Sequence, residues 1–237
     1  MGQYVLALPD GENIPYQLER RSRRTISMKV STQGLIVHAP NRISIKELEN
    51  ILLIKANWIL SKLQSVQENA VPPLTLQHGC SLLLLGNDIQ LDIRHDSRSR
   101  LPEYLPGQLI LALPNPDDEI AILKKVLQWY RKQAQLDFTR RLEILATRLG
   151  VPVPALFLSN AKGRWGSCNS KQEIRLNWRL IQAPPHLINY VICHELAHLK
   201  EMNHSAKFWA IVESICPEYK AAEKDLKLWS TQLHAIA

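Results

Sequence analysis

The 237-residue chain has no C-x-x-C pair; its four cysteines, Cys80, Cys168, Cys193 and Cys216, stand singly. They read as buried thiols of a reducing compartment rather than as a disulfide framework. The first residues lack the basic-then-apolar layout of a secretion signal, and no apolar run is long enough to span a bilayer. Leu6 stands where N-myristoylation after Met1-Gly2 requires a hydroxyl residue. These absences predict a cytoplasmic protein that does not enter membranes. What is present is an ordinary globular composition, 46% hydrophobic, with a net charge of +7 and a pI near 9.3. The length suffices for a sizeable core. The positive excess suits an acidic or phosphorylated partner, nucleic acid included, or serves solubility alone.

The strongest chemical signal lies between Pro184 and Tyr219. In Cys193-His194-Glu195-Leu196-Ala197-His198 the two histidines are four residues apart. On a helix that spacing puts both imidazoles on one face, able to bind a single metal ion, with Glu195 beside them as general base. Ala183-Pro184-Pro185 supplies a proline for the first helical turn, and Leu187, Val191, Leu196 and Leu199 give an apolar stripe. Cys193 points about a hundred degrees away from the first ligand and reads as core.

A catalytic zinc takes three protein ligands and leaves one position open. His204, six residues after His198, is the leading third ligand; Glu213, Glu218 and Glu223 on later helices are the alternatives. The spacing is that of H-E-x-x-H-x-x-G-x-x-H, with Glu201 in place of the turn glycine. The turn is therefore expected to be built differently, with Asn203 in a left-handed conformation.

A set of short motifs in one order carries a family resemblance: Arg164-Trp165-Gly166-Ser167-Cys168, Leu176-Asn177-Trp178-Arg179-Leu180, Ala183-Pro184-Pro185, His194-Glu195-Leu196-Ala197-His198, and Met202-Asn203-His204-Ser205 before Phe208-Trp209. The sequence resembles the bacterial YgjP-like metallopeptidases, related in their core to SprT-like and wider zincin proteins. The likeness is densest from about Lys162 to Tyr219, and Gly163 stands where a serine is usual. The resemblance implies His194, His198 and His204 as zinc ligands and Glu195 as the catalytic residue.

The rest of the chain reads as an α+β protein with a strand-rich N-terminal part. Strands are predicted over Tyr4 to Leu8 and Tyr16 to Arg20, with a hairpin of Thr25 to Val30 and Leu35 to Ala39. Arg20, Arg21, Arg23 and Arg24 form either a solvated edge or a phosphate-binding patch. A capping box, Ser44 with Glu47, opens a helix predicted to run to about Val66 with Trp58 packed in its stripe. Ala70-Val71-Pro72-Pro73 is the best linker. Strands follow at Leu82 to Leu85, Ile89 to Ile93 and Leu109 to Leu113, and then a long helix capped by Asn115 and ended by Gly150. His78 and His95 lie far from the motif and read as ordinary histidines. The predicted regions are 1–71, a β-hairpin plus helix region; 72–114, strand-rich; and 115–237, a zincin-like catalytic core.

Strands at Ala155 to Leu158 and Glu173 to Leu180 frame the Lys162 to Lys171 loop. The metal helix is expected to pack beside this small antiparallel sheet, and an edge strand there suits an extended substrate. Arg164 either stabilises an oxyanion or binds a substrate carboxylate or phosphate, or else pairs with a surface acid. Trp165 either walls the cleft or packs a turn. Tyr190, one turn before His194, either donates a hydrogen bond in the site or packs. The reading is a zinc-dependent hydrolase, a metallopeptidase acting on a peptide or protein. The alternatives are a nucleotide phosphoanhydride hydrolase and a basic nucleic-acid-associated protein with structural zinc.

Overall fold

The computed structural model describes residues 2–31, 33–68 and 74–236; the linker at Ala70 to Pro73 lies outside the described residues. The chain divides into two compact units, Met1–Val71 and Pro72–Ala237.

In the first unit, β1 (Gly2–Ala7), β2 (Asn13–Arg21), β3 (Ser27–Ser31) and β4 (Gly34–Pro40) form a sheet in the order β1-β2-β4-β3. The central pair is parallel, with Tyr16 opposite Leu35 and Leu18 opposite Val37. Alternation puts Ile14, Tyr16, Leu18, Leu35, Val37 and Ala39 on one buried face. The helical segment after Ser44 is two helices, α1 (Ile45–Ile54) and α2 (Ala56–Glu68). Lys55, with φ −103 and ψ 6, interrupts it. Ser44 and Glu47 form the capping box in both directions. The break turns Trp58 outward, 44% exposed, while Leu48, Leu52 and Ile59 are fully buried.

The second unit opens with β5 (Ser81–Leu84), β6 (Asn87–His95), β7 (Glu103–Leu105) and β8 (Gln108–Leu113), in the order β5-β6-β8-β7. This repeats the first sheet. Leu91 faces Leu109 across a parallel pair as Tyr16 faces Leu35, and each fourth strand runs into Pro-Asn at Pro40-Asn41 and Pro114-Asn115. The long helix α3 (Glu119–Leu149) starts later than its prolines suggest. Asp118 is the cap and accepts from the Ala121 amide, whereas the Asn115 side chain accepts from Asp117. Gly150, at φ 69, ends it in the left-handed conformation. Tyr130 from α3 donates its hydroxyl to the Leu83 carbonyl at 2.7 Å, tying the helix to the sheet.

The third sheet combines β9 (Leu156–Ser159), β10 (Gly166–Cys168) and β11 (Ile174–Asn177) in the order β10-β11-β9. It is mixed, not antiparallel: β10 and β11 make an antiparallel hairpin, but β9 runs parallel to β11. The reason is chain direction. The chain leaves β9, crosses through the Lys162 loop and β10, and so re-enters along β9's own direction. A 3₁₀ turn (Trp178–Gln182) then leads to α4 (Pro185–Ala197), followed by α5 (Ala206–Ile215) and α6 (Tyr219–Leu233).

Two contacts set where α4 begins. The β5–β6 turn donates the Leu85 and Gly86 amides to the carbonyls of Ile181 and Gln182, at 2.8 and 2.9 Å. Gly86 has φ 81, and a β-carbon there would come within 3.0 Å of the Pro184 backbone, so the turn can close on the helix entry only as glycine. Behind it, Arg179 is 2% exposed and is held by Asn160 and the Ile236 carbonyl, with its guanidinium over Trp178.

Candidate metal centre

His194 projects from the last turn of α4, His198 caps that helix, and His204 lies on the turn into α5. One ligand atom from each comes within 4.8 Å of the others. Nε2 of His194 and Nε2 of His204 are 3.0 Å apart, and Nδ1 of His198 faces the Glu201 carbonyl at 3.2 Å, which leaves its Nε2 to the cluster. Tetrahedral zinc with nitrogens at ~2.0–2.1 Å puts neighbouring ligand atoms roughly 3.3 Å apart, a spacing close to that of the His194 and His204 nitrogens. Burial pushes His194 down to about 4, with His198 and His204 adding to the effect, and burial lowers His198 as well. Neutral imidazoles are what a cation binds.

The turn carrying His204 needs neither glycine nor a left-handed asparagine. Among the described residues only Leu85 and Gln172 are non-glycine residues with positive φ. Instead the Lys200 and Glu201 amides return to Ala197, and Ser205 donates to the Asn203 carbonyl at 2.8 Å, which turns the chain back under the helix. The carboxylates of Glu213, Glu218 and Glu223 are not in the cluster. Glu223 acts on His194 through its charge, while its carboxylate accepts from Lys227.

Phe208 holds the three rings. Fully buried on α5, it lies 4.9 Å from His194, 4.5 Å from His198 and 4.7 Å from His204, centroid to centroid. Trp209 lies against His194 and His204 and stacks on Tyr219. Apolar spacing gives these two residues a core role; that one ring touches all three imidazoles follows from the tertiary arrangement.

Glu195, 5% exposed, is pushed up to about 7 by burial, and the charge of Arg164 works against the shift. It shares with Trp165, Gly166, Tyr190, Val191, His194 and Leu226 a cleft of about 210 Å³. Trp165 lines this cleft and stacks on His234, ring centroids 4.9 Å apart. Arg164 is exposed, and its charge reaches Glu195. Asn177 fixes this loop, donating its amide to the Trp165 carbonyl and its side chain to that of Ala161. Tyr190 is raised by burial first, then by Glu223, Cys216, Glu195 and Tyr219, and remains a neutral phenol. Cys193 is fully buried, with its thiol toward the Ile215 carbonyl.

The basic cluster near residue 20 is largely engaged. Arg20 donates to the carbonyls of Pro40, Asn41 and Ile43, Arg21 pairs with Glu19, and Arg23 bonds Ser27 and Thr25. His78 accepts from the Ile93 amide, and His95 faces the Pro114 carbonyl. No helix among the described residues is long and apolar enough to cross a membrane.

Fold and site together define an α+β protein that gathers three imidazoles able to hold a metal ion, and a buried carboxyl, at the end of α4. The chain belongs to the YgjP-like family, whose metallopeptidase domain matches residues 24–228. It is similar to the UTP pyrophosphatase of Escherichia coli K12, 32% identical over 96 residues that make up 40% of this chain and 54% of that protein. The chain thus spans about half the length of this curated relative. Among solved structures it is similar to the metallopeptidase zymogen of Pyrococcus abyssi abylysin, at 27% identity and TM-score 0.37 over 38% of this chain and 92% of that one. It is also similar to the zymogen of Methanocaldococcus jannaschii jannalysin, at 23% identity and TM-score 0.33 over 38% and 96%.

Proposed function

We propose that this protein is a zinc-dependent peptidase with a zincin-like core, in which His194, His198 and His204 hold the metal and Glu195 is the general base. The observation that carries this reading is the convergence of three imidazoles, His194 and His198 held toward the neutral form by burial, beside a buried carboxyl that burial pushes up to about 7. Zinc, when bound, supplies Lewis acidity toward water and a carbonyl oxygen. Glu195 takes the proton of the attacking water and returns it to the leaving amine, a task suited to a carboxyl titrating near the working pH. An extended peptide would lie along β10, whose other edge is paired with β11, between Trp165 and the metal helix. Arg164 binds a substrate carboxylate or the developing oxyanion.

The donor set also accepts other divalent ions, so metal identity is part of the test. Metal analysis of wild type beside single alanine variants at His194, His198 and His204 should show one ion per chain, with affinity weakened by more than about 100-fold in each variant, beyond the usual cost of an outer-shell change. Glu195→Gln should keep the ion and lose hydrolysis. Full metal binding after all three histidine changes would end the proposal.

A second reading is favoured by the name of the Escherichia coli relative: hydrolysis of a nucleotide phosphoanhydride. Arg164 is then the phosphate-binding cation, since most of the Arg20 to Arg24 cluster is engaged within its own unit. Labelled casein, UTP and duplex DNA presented to the same zinc-loaded preparation separate peptidase, nucleotidase and nucleic-acid-binding readings.

A further inference from the structure

The cleft has a hydrogen-bond donor that the proposed chemistry has not yet used. Tyr190 is 6% exposed, yet its hydroxyl is neither sealed without a partner nor hydrogen-bonded among the described residues. Tyr190 lines the cleft with His194 and Glu195. A phenol in the protein interior normally finds a partner, because an unpaired buried hydroxyl loses its hydrogen bonds to water without replacement. Tyr130, fully buried in the same unit, does so through the Leu83 carbonyl. Tyr190 has no such partner among the described residues, and its ring lies beside that of His194.

Tyr190 precedes His194 by one turn of α4, so the two side chains share a face, and their rings meet edge-on with centroids 6.2 Å apart. Glu195 stands on the same helix as the group that takes the proton. The opposite wall, Trp165 and Gly166, belongs to the strand side. Trp165, on that side, stacks its ring on His234. A substrate oxygen that enters next to the three imidazoles therefore meets one free hydroxyl on the metal helix.

We propose that Tyr190 is a catalytic residue whose hydroxyl donates a hydrogen bond to the substrate oxygen that gains negative charge as water adds. This rests on the hydrolase reading above and applies equally to a carbonyl or a phosphoryl oxygen. The donor is placed before substrate arrives, so its contribution is felt in the transition state more than in ground-state binding.

The test uses the zinc-loaded full chain. Wild type, Tyr190→Phe and Glu195→Gln are assayed on labelled casein and on UTP, with zinc content and thermal midpoint measured on each preparation. Tyr190→Phe should lower kcat by about 10²-fold, leave KM within about twofold, and keep zinc content and midpoint unchanged. In the Glu195→Gln background, the same substitution should weaken a phosphinic tripeptide by about tenfold while sparing the matching amide tripeptide. Unchanged kcat in Tyr190→Phe beside an active wild type would overturn the role of Tyr190 alone. So would a fall in kcat matched by lost zinc, which would make the residue structural. Wild type that hydrolyses neither casein nor UTP would overturn this role together with the reading it rests on.

Discussion

The Glu195 carboxyl lies directly against the α-carbon of Gly166. A β-carbon at Gly166 would come within 2.4 Å of Oε1 and 2.7 Å of Cγ, closer than any side chain tolerates. The glycine therefore lets β10 approach the metal helix closely enough for one cleft to be shared by strand and carboxyl. Gly166→Ala should push Glu195 aside while the three histidines keep their ion. Since a displacement of roughly 1 Å costs about 10²-fold in rate, turnover should fall by that order with metal content intact. Paired metal analysis and kinetics check this; wild-type turnover would show that the strand yields instead.

The elevated proton affinity of Glu195 predicts a pH-dependent stability in the metal-free protein. In the unfolded chain the carboxyl ionises near 4.5, and in the fold near about 7. The stabilising contribution of the protonated form is complete below the lower value and disappears as pH rises through the upper one. Glu195→Gln, which keeps the shape without the charge, should exceed wild type at pH 8 by on the order of 3 kcal/mol, the gap closing toward pH 4.5. Denaturant melts of both metal-free proteins across that range decide it, and a gap independent of pH would contradict the assignment.

Phe208 is the common neighbour of the three imidazoles, so its loss should loosen all of them together. Phe208→Leu preserves an apolar core at modest cost, yet removes the flat faces against which the rings are set. Metal affinity should drop by about 10- to 100-fold, the range of outer-shell changes, with far-UV circular dichroism unchanged. Competition with a chelator measures it.

The two units have separate hydrophobic cores, one built on Leu18, Val37 and Leu52, the other running from Leu82 to Ile236. A fragment of residues 72–237 should accordingly fold alone and bind metal with the affinity of the full chain. Thermal melts and metal titration of the fragment test this. Failure to fold would show that the second core depends on the first unit.

Much of the site can be read from residue spacing, because a helix repeats every 3.6 residues and His194 and His198 can hardly avoid one face. The capping box at Ser44, the left-handed end at Gly150 and the strand alternation of β2, β4, β6 and β8 are equally local, fixed by backbone geometry and neighbouring side chains. What spacing did not disclose depends on contacts between distant segments. The repeat of one sheet topology in two units shows in strand order, while the matching residues, such as Tyr16 and Leu91, share only size and polarity. The parallel course of β9, the break at Lys55 and the outward Trp58 are likewise outcomes of how whole elements pack.

Sequence by itself determined which groups are available: three imidazoles and a carboxyl on and just beyond one helix. Tertiary structure decided what surrounds them. Gly166 lets β10 close onto Glu195, Phe208 gathers the rings, and burial, which no local pattern specifies, drives His194 and His198 toward neutrality and the carboxyl toward holding its proton. Desolvation depends on atoms contributed from every part of the unit, so the chemistry of the site is a property of the packed core and not of the motif.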